Sequence, residues 1–295
     1  MKYDVNLELE NREESYSFGD VAKQANGSAW IKSGKTVILA TVVINETEIV
    51  KEDFLPLTVQ YIEKTYAVGK IPGGFFKRET KPSDFETLTS RIVDRSLRPL
   101  FPKGFGHPTQ ITIMTFSADS ESDLQVLALN AASAALFTSD IDINTSVSAV
   151  RTAKVDGELV INPTLSQLKD STLDLYLSGT KDDLLMIEMR SFGGEKIEVT
   201  DMIIDPMLDP AMSGAVMSSH VSNAMNEDEL IEVFEKTQEA LFASNAKYEN
   251  EFAAFKKDVD DIRNSPAIKV MEILLSKGST NLIYNDPFVS ELMVN

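Results

Sequence analysis

Ile71-Pro72-Gly73-Gly74-Phe75-Phe76-Lys77-Arg78-Glu79, followed by Ser83-Asp84-Phe85-Glu86 and an unbroken run to Pro99, is the stretch on which the reading of this 295-residue chain turns. Gly73 and Gly74 reach backbone conformations closed to other residues, so the pair makes a loop that presents Phe75 and Phe76 with Lys77 and Arg78 beside them. Two rings next to two cations suit single-stranded RNA, because bases stack on aromatic faces for roughly 1–3 kcal/mol each while the cations meet phosphates. Ser83 with Glu86 three residues on is a capping box and predicts a helix that stops at Pro99. On that helix Arg91, Arg95 and Arg98 share one face, since steps of four and three return to the same side, and Leu88, Ile92 and Leu97 are left for a core. A row of guanidinium groups binds anions, phosphate above all, because each planar fork pairs phosphate bidentately. The same residues also admit a plainer reading, with the Phe pair in the core and the arginines on a solvated face beside Asp94 or Glu86.

Outward from this stretch the charge reverses. The chain carries 28 basic and 46 acidic residues, net −18, which argues against wrapping nucleic acid along its whole surface. Between Lys64 and Lys103, however, nine basic residues stand against four acidic ones, a +5 island on a body of −23. Such an island points to one local contact with a polyanion. There is no cysteine, which excludes disulfides, thiolate metal sites and thiol nucleophiles and fits a reducing compartment. His107 and His220 stand in unrelated contexts, so neither a histidine zinc site nor a Ser-His-Asp triad is expected. The first residues lack an apolar signal core and no run approaches 18 apolar residues, so the expected location is the cytoplasm, with no membrane partner.

Further along, strand-like and helix-like segments alternate. Thr36 to Ile44, Leu55 to Tyr61 and Gln110 to Phe116 read as strands. Asp123 to Phe137, dense in Ala and Leu, reads as a buried helix packed on a sheet. Val147 to Thr152, Leu159 to Asn162 across an Asp156-Gly157 turn, Leu173 to Leu177, and Leu184 to Glu188 read as further strands, in a mixed α/β layering that is not a purely parallel doubly wound sheet. The composition shifts at Ser191, with glycines, prolines and methionines of no clear period to residue 225, as in a linker or insert. From Asn226 the pattern is helical and acidic; Phe252, Phe255, Val259 and Ile262 form an apolar stripe, Asn264-Ser265-Pro266 stops it, and Val270 to Leu275 resumes it. Two tempting motifs fail. Gly34-Lys35-Thr36 lacks the glycine a P-loop needs five residues earlier, where Ala29 stands. Asp119, Glu121 and Asp123 alternate like a calcium loop but lack its turn glycine and terminal Glu, so a charge cluster at a helix start is expected there instead.

Three motifs together resemble the polynucleotide phosphorylase family of phosphate-dependent 3′-to-5′ exoribonucleases: Asp53-Phe54-Leu55-Pro56-Leu57-Thr58-Val59, Ile71 to Glu79, and Arg91-Ile92-Val93-Asp94-Arg95-Ser96-Leu97-Arg98-Pro99-Leu100-Phe101-Pro102. The resemblance implies an α+β fold, an RNase PH-like (ribosomal protein S5 domain 2-like) two-layer domain followed by a small all-α domain. The expected divisions are 1–205 for the first RNase PH-like domain, 206–225 for the linker or insert, and 226–295 for the start of the all-helical domain. Family members carry a second RNase PH-like domain and KH and S1 domains and form a three-subunit ring, so the chain is expected to be a fragment of a polyribonucleotide nucleotidyltransferase acting in mRNA degradation. By the same resemblance Phe75, Phe76, Lys77 and Arg78 touch incoming single-stranded RNA at the ring's channel, with Arg91 and Arg95 nearby; Arg98 joins the expected RNA-binding set by its helical spacing alone.

The family's phosphate and magnesium sites lie mainly in its second RNase PH-like domain. Where that copy has Asp-x-Asp-x-x-x-x-Gly with a Lys, this chain has Thr172-Leu173-Asp174-Leu175-Tyr176-Leu177-Ser178-Gly179, so Thr172 and Tyr176 replace the Asp and the Lys. Asp123-Leu124-Gln125 lacks the hydroxyls of its phosphate loop. No catalytic or metal residue and no cofactor is therefore expected in this fragment, and magnesium and inorganic phosphate belong to the full-length enzyme. The alternative is an autonomous protein that holds a small phosphorylated ligand on Arg91, Arg95 and Arg98.

Overall fold

The computed structural model describes residues 3–50, 54–75, 77–79, 81–191, 216–220 and 227–252. Its first sheet begins with a hairpin, β1 (Tyr3–Leu9) and β2 (Arg12–Phe18), and continues through β3 (Gly27–Ser33) and β4 (Thr36–Ile44). It is completed by β5 (Leu57–Glu63) and β6 (Thr109–Ser117), in the order β1-β2-β3-β4-β6-β5. All its pairs are antiparallel except β5 with β6. A parallel pair needs a long crossover, and α1 (Asp84–Leu97) is part of it. Its capping box forms as the sequence predicts: Ser83 Oγ accepts the Glu86 N–H at 3.1 Å and Glu86 accepts the Ser83 N–H at 2.7 Å.

The second sheet follows α2 (Leu124–Phe137) and holds β7 (Ser148–Val155), β8 (Glu158–Ile161), β9 (Leu173–Gly179) and β10 (Leu184–Ser191). β11 (Val216–His220) pairs parallel to β10, giving the order β11-β10-β9-β7-β8, and so places a strand inside the stretch expected to be a linker. Short α3 (Leu165–Lys169) lies between β8 and β9, and α4 (Glu227–Phe252) is the helix expected from the acidic region. Phe255, Val259, Ile262 and the segment from Val270 lie outside the described residues.

Helix α2 is buried on every side from Val126 to Phe137, because the first sheet covers it on one side and β7, α1 and α4 meet it elsewhere. Small alanines let those layers close in, and Gly27 on β3 shows how tightly: a Cβ there would stand 2.1 Å from the Ala135 carbonyl oxygen. A second core cluster joins Val150, Leu175 and Leu177 of the second sheet to Val233 and Leu241 of α4. α4 is also tied to the N-terminal hairpin through a buried carboxylate. Glu14, fully buried, accepts the hydroxyls of Tyr16 and Tyr248, each at 2.6 Å, and the Asn130 amide at 3.2 Å, with Arg12 Nε 2.7 Å away. Burial of a charge on this scale is tolerable only because each oxygen is matched by donors.

Candidate nucleic-acid interface

Strand β5 is an edge, and the side chains of α1 satisfy its unpaired backbone. Ser90 Oγ accepts the Tyr61 N–H at 2.9 Å, and Glu86 accepts the Glu63 N–H at 2.8 Å. Arg98 donates to the Leu55 and Leu57 carbonyls at 2.9 and 3.2 Å. It also holds Asp94 through Nε and Nη2, at 3.1 and 2.7 Å, and lies over the Phe54 ring at 5.2 Å. The sequence reading put Arg98 in an anion-binding row with Arg91 and Arg95. In the structure its guanidinium is bound into a brace between α1 and β5, and the helical spacing, correct in itself, could not reveal those partners. Leu88 differs as well. Ile92 and Leu97 are buried as expected, but Leu88 is 44% exposed.

Between the end of β5, the loop before α1 and the first turns of α1 opens a cleft of about 890 Å³. A 3₁₀ turn at Thr65–Val68 closes on Gly69 in the left-handed region, and the Ile71–Glu79 loop follows. Gly74 at φ 78° uses the freedom glycine gives, and Lys77 takes φ 50° without it, a conformation that costs about 1 kcal/mol or more and holds where the surroundings enforce it. Two residues on, Glu79 anchors the end of the loop. It accepts the Thr65 N–H at 2.6 Å and the Thr65 hydroxyl at 2.7 Å and pairs with Lys64 at 3.0 Å, fastening the loop to the turn. These contacts, the backbone N–H first, hold its carboxyl well below the ordinary 4.5, at about 2. Deeper in, the Tyr61 hydroxyl donates to Glu63 at 2.8 Å, and desolvation nevertheless raises the Glu63 pKa, helped by Glu86.

The carboxylates of the cleft thus spend their oxygens on backbone N–H groups, hydroxyls and Lys64. Arg78, Lys81 and Arg91 line the same cleft, and none of them has an ion pair among the described residues. Phe75 is 94% exposed, so the plainer reading of a buried ring does not hold for it. Lys77 is exposed on the same loop, and Arg95, one turn beyond Arg91, is half-buried. Phe76 lies outside the described residues. The structure therefore brings Arg78 and Arg91 onto one surface, adds Lys64 and Lys81, and separates Arg98 from them. Neither lysine was singled out from the sequence, although both belong to the +5 island.

The positions compared above with an active-site pattern fall on the second sheet. Arg151 of β7 faces Tyr176 of β9, and Tyr176 faces Glu188 of β10. Arg151 donates to both oxygens of Asp174 at 3.0 and 2.9 Å and to Gln125 at 2.6 Å, while its Nε stands 2.6 Å from Asp123, off the hydrogen-bond axis. Asp123 caps α2 as expected, accepting the Gln125 and Val126 N–H groups. Asp174 has its pKa raised by burial, with Arg151 opposing. Arg151 was not picked out from the sequence, where its only mark is a cation inside a strand pattern.

Comparison with known proteins accords with this geometry. Residues 10–142 match the 3′ exoribonuclease family, domain 1, and residues 145–214 match domain 2 of the same family, the junction falling between the two sheets. Residues 253–295 match the UDP binding domain of the UDP-glucose/GDP-mannose dehydrogenase family; they form the last part of the stretch read as helical domain and lie outside the described residues. Polyribonucleotide nucleotidyltransferase of Sulfurimonas denitrificans is 73% identical over 262 residues, 89% of this chain and 36% of that protein. The Nitratiruptor protein of the same name is 59% identical over 258 residues, 88% and 35%. The chain thus spans about a third of the length of these relatives. Rice Rrp46 has the same fold, with a TM-score of 0.54 at 15% identity over 83% of this chain and 94% of its own. With both halves of the fold matched in order along residues 10–214, the chain belongs to the 3′ exoribonuclease, or RNase PH, family.

Proposed function

We propose that this chain is the RNA-guiding, ring-forming and non-catalytic half of a polyribonucleotide nucleotidyltransferase, a phosphate-dependent 3′-to-5′ exoribonuclease of mRNA degradation in the cytoplasm. The observation that carries the reading is the cleft in which Arg78, Lys81 and Arg91 stand without ion pairs among the described residues, next to an exposed Phe75. Cations held apart from carboxylates can meet phosphates, and an exposed ring can stack on bases. Phe75, Phe76, Lys77, Arg78, Arg91 and Arg95 are the proposed RNA contacts; Arg98 supports them by fixing α1. The small-ligand alternative needs three free guanidinium groups, and the Arg98 brace leaves two.

Inactivity of this half follows from Thr172 and Tyr176, and from Arg151, whose guanidinium already occupies the carboxylates of Asp123 and Asp174. Magnesium and inorganic phosphate would serve the remainder of the full-length homotrimer. No helix among the described residues is long and apolar enough to cross a membrane.

The test is a salt titration with oligoadenylates of increasing length. Affinity should grow with length, and Arg78→Ala or Arg91→Ala should each lower the slope of log affinity against log salt by about 0.7. Tight mononucleotide binding without a length effect, or unchanged slopes, would refute the reading.

A further inference from the structure

Helix α1 separates two cavities. The cleft described above lies on one side, and a smaller cavity of about 380 Å³ lies on another, with Leu124 in the wall of both. Its walls are apolar. Phe85 and Leu88 of α1, 41% and 44% exposed, face it together with Leu124, Leu165 and Leu168. Its floor is polar and comes from the second sheet: Arg151, Asp174, Tyr176, Glu188 and Arg190. This is the make-up of a small-molecule site, apolar jaws over a few placed polar groups.

One floor group is left unfinished. Tyr176 is 1% exposed, and its hydroxyl has no hydrogen-bond partner among the described residues. A buried polar atom without a partner costs stability and calls for an explanation. Burial raises the Tyr176 pKa, with Asp123 adding to it, so the hydroxyl keeps its proton and is a donor awaiting an acceptor. Beside it Glu188, whose Oε1 accepts from Arg190 at 3.4 Å, can still accept from a ligand's N–H groups, whereas both oxygens of Asp174 are held by Arg151. The acids Asp123, Asp174 and Glu188 outnumber Arg151 and Arg190, which disfavours a phosphate on this floor. The ligand chemistry that fits is a flat, uncharged ring with N–H donors and a carbonyl or ring-nitrogen acceptor on its edge.

We infer that this cavity binds a nucleobase, its faces held between the α1 and α3 side chains and its edge read by Tyr176 and Glu188. The base has two possible sources, a free nucleoside or a base turned out of a strand lying in the neighbouring cleft across Leu124. The inference goes beyond RNA gripping by the basic cleft and stands or falls separately from it, because none of its residues is among the phosphate-binding cations.

The experiment is a calorimetric or NMR titration of the whole chain with guanosine, adenosine, cytidine and uridine, repeated on Tyr176→Phe, which removes only the hydroxyl. At least one nucleoside should bind saturably, and Tyr176→Phe should weaken it about five- to tenfold without lowering the melting temperature, since the deleted hydroxyl was unpaired. Phe85→Ala, at a position 41% exposed though edge-on to the Tyr61 ring, should weaken the same nucleoside. Oligonucleotide titrations identify the source: if Tyr176→Phe also weakens the oligonucleotide at unchanged salt slope, the base comes from the strand, and if only the nucleoside weakens, it is free. Absence of saturable binding by all four nucleosides, or affinities indifferent to Tyr176→Phe and Phe85→Ala, overturns the inference.

Discussion

The open cleft and the floor of the smaller cavity are built from the same ingredients, arginines and carboxylates, and assemble them in opposite ways. In the cleft Glu79 and Glu86 are spent on backbone N–H groups, at Thr65, Ser83 and Glu63, so Arg78 and Arg91 are left to solvent. On the floor Arg151 is spent on Asp174, Asp123 and Gln125, and what remains unmatched is a neutral hydroxyl. Whether an arginine can serve a ligand is thus decided by what its neighbouring acids are already holding. Counting charges along the sequence cannot supply that; the location of unpaired backbone groups can.

The sharpest way to break the comparison is to delete one arginine from each side. Arg151→Ala leaves two buried carboxylates facing each other and should cost about 3–5 kcal/mol in urea unfolding. Arg91→Ala should stay within about 0.5 kcal/mol, as exposed substitutions do. Comparable losses for both would show that Arg91 is held by the fold as firmly as Arg151. Next in size is Phe75→Ala, expected to lower single-stranded RNA affinity by roughly 1–3 kcal/mol with the salt slope and melting temperature nearly unchanged. A clearly lower melting temperature would mean that the ring contributes to packing despite its exposure.

Arg98 lies between the two classes. Partly exposed but bound to Asp94 and two carbonyls, it should lose on the order of 1–2 kcal/mol of stability on change to Ala, an allowance already reduced for solvent screening. Its RNA salt slope should equal that of the parent; a fall of about 0.7 would return it to the phosphate row. The smallest effect concerns pH. Glu79 has a depressed carboxyl, so its clamp on Thr65 is fully present above its ordinary 4.5 and is lost as pH falls towards about 2. A carboxyl NMR titration should put its midpoint near 2, and a midpoint near 4.5 would show that the clamp does not hold in solution.

Elements with strong local signals were legible. β4 spans Thr36–Ile44 as read, α1 starts at its capping box, α2 is the buried alanine-rich helix, and Asp156 and Gly157 both take positive φ in the β7–β8 turn. The β1–β2 hairpin and β3 were not read. In β2 a charged Glu14 occupies a core position of the alternation, and the groups that make it acceptable there, Asn130 and Tyr248, are distant in sequence. Arg98 and Leu88 failed for a related reason. Helical spacing gives the direction of a side chain but does not say whether an edge strand or a cavity lies in that direction.

The carboxylate of Glu14 also sets a timetable for the nascent chain. The Tyr248 hydroxyl that completes its shell is 234 residues further on. A ribosome adding about 5–20 residues per second takes on the order of 10–50 s to cover that distance. Throughout that interval the helix that closes over the first hairpin has not yet been made, and the Glu14 carboxyl lacks one of its donors. Docking of α4 on the amino-terminal hairpin therefore cannot begin until Tyr248 has been synthesised.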